Sequence, residues 1–219
     1  MHLNPGSTHY VAVHGRQLDW TPSPIPGVDW RILDKVGEGM ARATLIVRHA
    51  PGTHASQRTL GGGEEFLVLD GVLQDERGDF PAGSYVRNPL PLSHTPSSGS
   101  GCTLFVKLGQ FAPDDQTQVH LDTPSQAFAP VEARPGVAAM SLFADLQEQV
   151  RLEHWAAGAV VNLHAPGGLE VLVLGGEFTE SSERFELQSW LQLPAGATLQ
   201  AAVGMQGCRV WIKAGHAES

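Results

Sequence analysis

The chain reads as an all-β protein made of two tandem barrels. Three observations predict this: an internal repeat, short apolar runs bounded by turn residues, and a content of 25 Gly and 15 Pro in 219 residues, high for a helical fold. The repeat comes first. Gly101-Cys102-Thr-Leu-Phe-Val-Lys107-Leu-Gly109 recurs as Gly207-Cys208-Arg-Val-Trp-Ile-Lys213-Ala-Gly215. Gly62-Gly63-Glu64-Glu65-Phe-Leu-Val-Leu-Asp-Gly71 recurs as Gly167-Gly168-Leu169-Glu170-Val-Leu-Val-Leu-Gly-Gly176, and Pro81-Ala82-Gly83 as Pro194-Ala195-Gly196. The separations are 106, 105 and 113 residues, in the same order, which is the signature of a duplication. The third match implies that the second copy is eight residues longer through Thr179 to Leu193 and seven shorter after Pro-Ala-Gly, as loops would allow.

Within each copy the apolar runs are short and β-like: Ala43 to Val47, Phe66 to Leu69, Thr103 to Leu108, Val171 to Leu174 and Arg209 to Ile212. Evenly spaced short strands suit a sandwich or closed barrel, and closure removes exposed strand edges. Only Ala138 to Arg151 has a partly helical pattern. The polar, proline-containing stretch Phe111 to Gln118 lies between the copies, so the expected division is 1–111, a linker at 112–123, and 124–219.

Composition narrows the function classes. A hydrophobic fraction of 42% supports packed cores. A net charge of −9 without any basic run argues against nucleic acid as a direct partner. Cys102 and Cys208 are the only cysteines, which excludes a disulfide framework and a multi-cysteine zinc site; both are expected to be buried strand thiols. No run approaches the roughly 20 apolar residues of a membrane span, and no signal segment is evident, so a cytoplasmic protein without membrane contact is expected.

The first copy also carries a spaced motif. Gly52 is followed by Arg58, Leu60, Glu64 and Gly71, and Gly83 by Pro89, Pro91 and His94. These intervals resemble the cupin consensus, G-x5-H-x-H-x3-E-x6-G followed by G-x5-P-x-G-x2-H. The implied fold is a tandem repeat of the cupin barrel, a double-stranded β-helix or jelly roll. Two residues apart on a strand share a face, so H-x-H aims two imidazoles inward, where a glutamate and a third histidine complete a Zn²⁺, Mn²⁺ or Fe²⁺ site. Here Arg58 and Leu60 replace both paired histidines. Glu64 and His94 remain as metal ligands, with His54, four residues before Arg58, as a replacement ligand. Arg58 is a fixed cation, and beside Glu64 it makes a charge-assisted pair. It would repel a unit cation 4 Å away by about 4 kcal/mol at an effective dielectric of 20, and a divalent one by about twice that. The second copy is further reduced: counting from Gly158 puts His164 and Pro166 at the histidine positions, and counting back from Gly176 puts Leu169, not Glu170, at the glutamate position.

Longer strings narrow the resemblance. Gly61-Gly-Gly-Glu-Glu-Phe-Leu-Val-Leu69, Gly78-Asp-Phe-Pro-Ala-Gly-Ser-Tyr-Val-Arg-Asn-Pro89, Ser93-His-Thr-Pro96 and Gly101-Cys-Thr-Leu-Phe-Val-Lys-Leu108 resemble the ChrR-type cupin domains. So do Trp20-Thr-Pro-Ser-Pro-Ile-Pro-Gly27 and Asp114-Asp-Gln-Thr-Gln118. ChrR is an anti-sigma factor that releases its sigma factor under singlet-oxygen stress. Its sigma-binding part is a separate N-terminal zinc domain, and its cupin part holds a second zinc. The first 40 residues here have no cysteine and no long amphipathic helix, so the resemblance implies the cupin part, with a regulatory association, and not the sigma-binding part. The family's cupin zinc ligands correspond to positions 58, 60, 64 and 94, of which Glu64 and His94 survive.

Three functions compete. The leading expectation is a regulatory, small-ligand-sensing module in a transcriptional stress response, with a degenerate metal site and no cofactor. Its pocket would be Arg58, Leu60, Glu64 and His94, holding a small, anionic molecule. The alternative is a metal-dependent enzyme, a dioxygenase or isomerase, for which two surviving ligands are few. The third is a structural bicupin that forms a homodimer and binds a regulatory protein.

Overall fold

The structure, a computed structural model, describes residues 9–37, 40, 42–56, 58–60, 62–89, 92–112 and 114–215, with strand placement alone at 58–60, 92 and 93. Strand alternation builds each core. In Cys102–Leu108, residues Cys102, Leu104, Val106 and Leu108 join one hydrophobic cluster while Thr103, Phe105 and Lys107 face the other way. That cluster takes in Val28, Leu45, Val47, Phe66, Val68, Leu73, Phe80 and Val86. A second cluster gathers Trp155, Leu163, Leu169, Val171, Phe178, Leu191, Leu199, Val210 and Ile212 from the other copy.

The two sheets repeat one order. In the first copy it runs Val119–Asp122, Ser84–Asn88, Glu64–Asp75, Cys102–Leu108, Arg42–His49, Val28–Val36, Thr21–Pro22. In the second it runs Val11–His14, Ser189–Leu193, Leu169–Glu180, Ala197–Gly215, Glu148–Trp155, Val137–Ala144, Ala129–Pro130. Every pairing is antiparallel.

One strand in each copy shapes the barrel. Glu64–Asp75 pairs with Cys102–Leu108 through residues 64–71, then with Gly78–Pro81 and Ser97 through residues 72–75. The exchange happens at Gly71, where φ is 73° and an added Cβ would lie 2.1 Å from the Gly101 carbonyl oxygen. Gly176 repeats it, with φ 69° and a Cβ that would lie 2.0 Å from the Gly207 oxygen. Only glycine accepts both the left-handed backbone and that close approach.

The register corrects the repeat. Leu67 lies opposite Tyr85 and Leu172 opposite Trp190; Leu60 lies opposite Leu92 and Ala165 opposite Ala197. A constant separation of 105 residues therefore runs from Leu60 through Leu92. Gly83 corresponds to Gln188, not Gly196: both have positive φ, 91° and 63°, and each donates its N–H to the matching carbonyl, Val68 or Val173, at 2.8 Å. The expected eight-residue insertion and seven-residue deletion do not exist. Pro-Ala-Gly is a generic turn string that recurs wherever a strand must stop, and it carries no register.

Two further expectations are corrected. The segment Ala138 to Arg151 is not helical but forms strands Val137–Ala144 and Glu148–Trp155. A bulge between Ser141 and Phe143 breaks the alternation of apolar residues, and Asp145 Oδ1 accepts the N–H groups of Gln147 and Glu148 in the turn between the strands. The expected linker is a strand as well: Val119–Asp122 pairs with Ser84–Asn88 and closes the first barrel. The division at 1–111 fails for the same reason at the other end. Val11–His14 pairs with Ser189–Leu193, so the segment before Leu18 belongs with the chain from Gln126 onward, and the other unit is Leu18–Ser125. The arm is pinned by His14, whose Nε2 is 2.9 Å from Glu183 Oε1 and whose Nδ1 is 3.1 Å from Ser189 Oγ, and by Gly15 N–H donating to the Gln188 carbonyl.

Deleting residues 1–17 should therefore strip protection from the second barrel, along Ser189–Leu193, and leave the first barrel's protection unchanged. Peptide-resolved hydrogen exchange of the full and shortened chains checks this; equal loss in both barrels would contradict the arm's placement.

Candidate functional site

The bent strand assembles the site. Glu64 and Asp75 stand eleven residues apart, about 36 Å on a straight strand at roughly 3.3 Å per residue. Yet His94 Nδ1 lies 3.6 Å from Glu64 Oε1 and 3.4 Å from Asp75 Oδ2. The turn at Gly71 brings the two ends of one strand to the same imidazole. Glu64 shares its face with Phe66 and Val68, and Asp75 with Leu73, so alternation sends both carboxylates inward. Glu64 and His94 are each 2% exposed.

His94 sits at the end of Leu92–His94, directly opposite Arg58 on Arg58–Leu60, with Leu60 opposite Leu92. The side chains of Arg58 and Leu60 lie outside the described residues. His54 is not part of the buried group: it is exposed on Thr53–His54, opposite Ser97, because the strand is interrupted before Arg58 instead of running unbroken. The expected replacement ligand is thereby removed.

Asp75 and Arg77 are the site residues that the sequence motif does not mark. Arg77 donates its backbone N–H to Asp75 Oδ1 at 2.8 Å, and its Nε and Nη2 to Oδ2 at 2.9 and 2.5 Å. Burial pushes the Asp75 carboxyl up, but the bonds and charge of Arg77, with a contribution from His94, outweigh it and hold it below the usual range. Asp-x-Arg-Gly at 75–78 is legible as a local turn; that its carboxylate faces His94 depends on the barrel closing.

This donor set does not fit a zinc ion. Arginine has no lone pair to give and leucine no donor at all, so positions 58 and 60 supply nothing. Asp75 could stand as a third ligand, yet the Oδ2 that faces His94 already accepts two guanidinium N–H bonds. Among the described residues, no group of three or more His, Cys, Asp or Glu is arranged to hold a metal.

The second barrel settles what replaces the site there. Positions 58, 60, 64 and 94 correspond to Leu163, Ala165, Leu169 and Leu199, all buried in the apolar cluster. Leu169 takes the glutamate's place as the spacing predicts. His164 does not take the histidine's: it is exposed on Val160–Ala165, within 3.4 Å of Thr198 Oγ1, because the copies lose one residue between Gly158 and Ala165. Both cysteines are buried, and burial pushes the Cys208 thiol up to about 12 and the Cys102 thiol up as well.

Two glycine-cornered jelly rolls in tandem, one with buried polar groups beside its core and one with apolar residues in their place, have the bicupin fold. Residues 8–112 match the model of the ChrR cupin-like domain family. Solved structures with the same fold include a candidate dioxygenase of Nostoc punctiforme, 15% identical, at a TM-score of 0.78 over 94% of this chain and 82% of that one. The bacterial pirin YhhW of Escherichia coli, solved with nickel(II), is 11% identical at a TM-score of 0.70, over 95% of this chain and 100% of that one. An oxalate decarboxylase is 11% identical at 0.68, over 95% and 78%. At such identities the likeness is one of fold. Among curated proteins no sequence matches the chain. Among the described residues, no helix is long and apolar enough to cross a membrane.

Since Asp75 is held below its usual range, its ionised form stabilises the fold above about pH 4, the ordinary aspartate value, and that contribution fades as pH falls through the folded value. Arg77→Gln should remove it: acid unfolding, followed by circular dichroism, should begin at higher pH than in the native protein. An unmoved acid midpoint would show that Arg77 does not hold Asp75.

Proposed function

We propose that this chain is a regulatory, small-ligand-sensing bicupin of the ChrR type. Its first barrel binds an anionic small molecule through Arg58, Glu64 and His94, against Leu60, without a resident metal. The observation that carries the reading is the state of Asp75: the carboxylate that could have completed a metal site is instead paired with Arg77, while position 58, an arginine, is opposite His94 in the strand register. Two guanidinium-bearing positions around a buried acid and an imidazole suit an anion better than a divalent cation. The regulatory assignment rests on the ChrR cupin-like match, and the output is a cytoplasmic protein partner in a stress response. The solved neighbours with enzymatic names support the barrel and not a reaction.

Tag-free protein should carry zinc well below one equivalent by metal analysis, and calorimetry should detect small carboxylates such as acetate, with binding lost in Arg58→Gln. The double change Arg58→His with Leu60→His should create stoichiometric zinc binding through positions 58, 60, 64 and 94. A native protein that holds one zinc per chain at Glu64 and His94 would overturn the reading.

A further inference from the structure

The interior of the first barrel holds a polar group that its own structure leaves unsatisfied. Asn88 ends strand Ser84–Asn88 and is 5% exposed, on the face shared with the core residue Val86. Its Nδ2 is buried with no hydrogen-bond partner among the described residues. A buried amide donor without an acceptor is destabilising and rare in folded proteins. The second barrel avoids the problem: the corresponding residue is Leu193, inside the apolar cluster. Leucine therefore fits this position of the scaffold, and the first barrel keeps an amide where the fold does not need one.

The neighbour of that amide identifies its partner. Asn88 is directly opposite Glu64 in the ladder, and the two side chains leave the sheet on the same face. Asn88 offers an N–H; Glu64 offers a buried carboxylate. A carbonyl or carboxylate oxygen placed between them would satisfy the amide and be repelled by Glu64. An ammonium would pair with Glu64 and leave the amide orphaned. A hydroxyl does both, accepting from Asn88 Nδ2 and donating to the carboxylate.

We propose that Asn88 and Glu64 together grip a hydroxyl of the first barrel's ligand, which makes that ligand a small hydroxy acid, with the hydroxyl on this pair and the carboxylate as the anion of the pocket. The inference rests on the anion-binding reading above. It adds Asn88 as the residue that sets specificity.

Calorimetry on the full chain with matched pairs, glycolate against acetate and lactate against propionate, tests it. The hydroxy acid of each pair should bind about tenfold more tightly, as for one hydrogen-bonded hydroxyl beside a charged acceptor. Asn88→Leu should erase that preference while acetate binding stays within about twofold of native, and Asn88→Asp, which lacks the amide donor and adds a carboxylate opposite Glu64, should erase it while weakening binding of every carboxylate. Asn88→Leu should also melt at or above the native temperature, since it removes an orphaned donor and installs the residue the second barrel uses. Equal affinities within each pair would overturn the hydroxyl assignment and leave the anion pocket standing. Absence of any carboxylate binding would overturn both. A clear fall in melting temperature for Asn88→Leu would show that Asn88 is satisfied within the protein, by an ordered water for instance, and would also defeat the inference.

Discussion

The approach of Gly71 to the Gly101 carbonyl is the contact on which the first barrel depends. No Cβ fits there, and the positive φ that turns the strand at Gly71 is one that other residues adopt at a cost. Because the strand turns, its two ends share an interior, and Glu64 and Asp75 can address one imidazole. Without the turn, Asp75 would be a surface residue of a hairpin. The same contact at Gly176 and Gly207 builds the second barrel, so the scaffold is independent of what fills it.

What fills the two barrels differs systematically. At each position where the first places Glu64, Asn88 or His94, the second places Leu169, Leu193 or Leu199. The apolar set gains burial without having to satisfy polar groups, which is the stable solution for a closed core. The polar set needs partners, and the first barrel finds some of them in Arg77. A duplication lets one copy hold the fold with apolar residues while the other carries polar groups at the matching positions.

Much of this was legible because motif spacing encodes strand geometry. Gly52, Glu64, Gly71, Gly83 and His94 stand at intervals fixed by where strands begin and bend, and those intervals hold although positions 58 and 60 carry no histidine. Leu169 at the glutamate position followed from the same counting. Other features depend on pairings that no local pattern records. Asp75 and Asn88 acquire meaning only through partners across the barrel, and the alternation of Val119–Asp122 spans only four residues at the end of a polar stretch. The Pro-Ala-Gly string misled because turn chemistry recurs out of register, and Ala138 to Arg151 misled because a bulge disturbs the period of two.

The exchange of arms carries a consequence for how the chain is made. The strand that closes the first barrel, Val119–Asp122, pairs with residues 32 to 38 positions earlier, so that barrel can finish as soon as its arm leaves the ribosome. The second barrel is closed by Val11–His14, whose Val11 pairs with Gln192, 181 residues later. This segment precedes both barrels in the chain, so it is among the last to find its place, and it waits for its partner while an entire domain folds behind it. Loop closure over that span is slow, and an unmatched strand edge persists until it is complete. The nascent chain is thus exposed to pairing with its neighbours for longest at Ser189–Leu193, the edge that awaits Val11–His14.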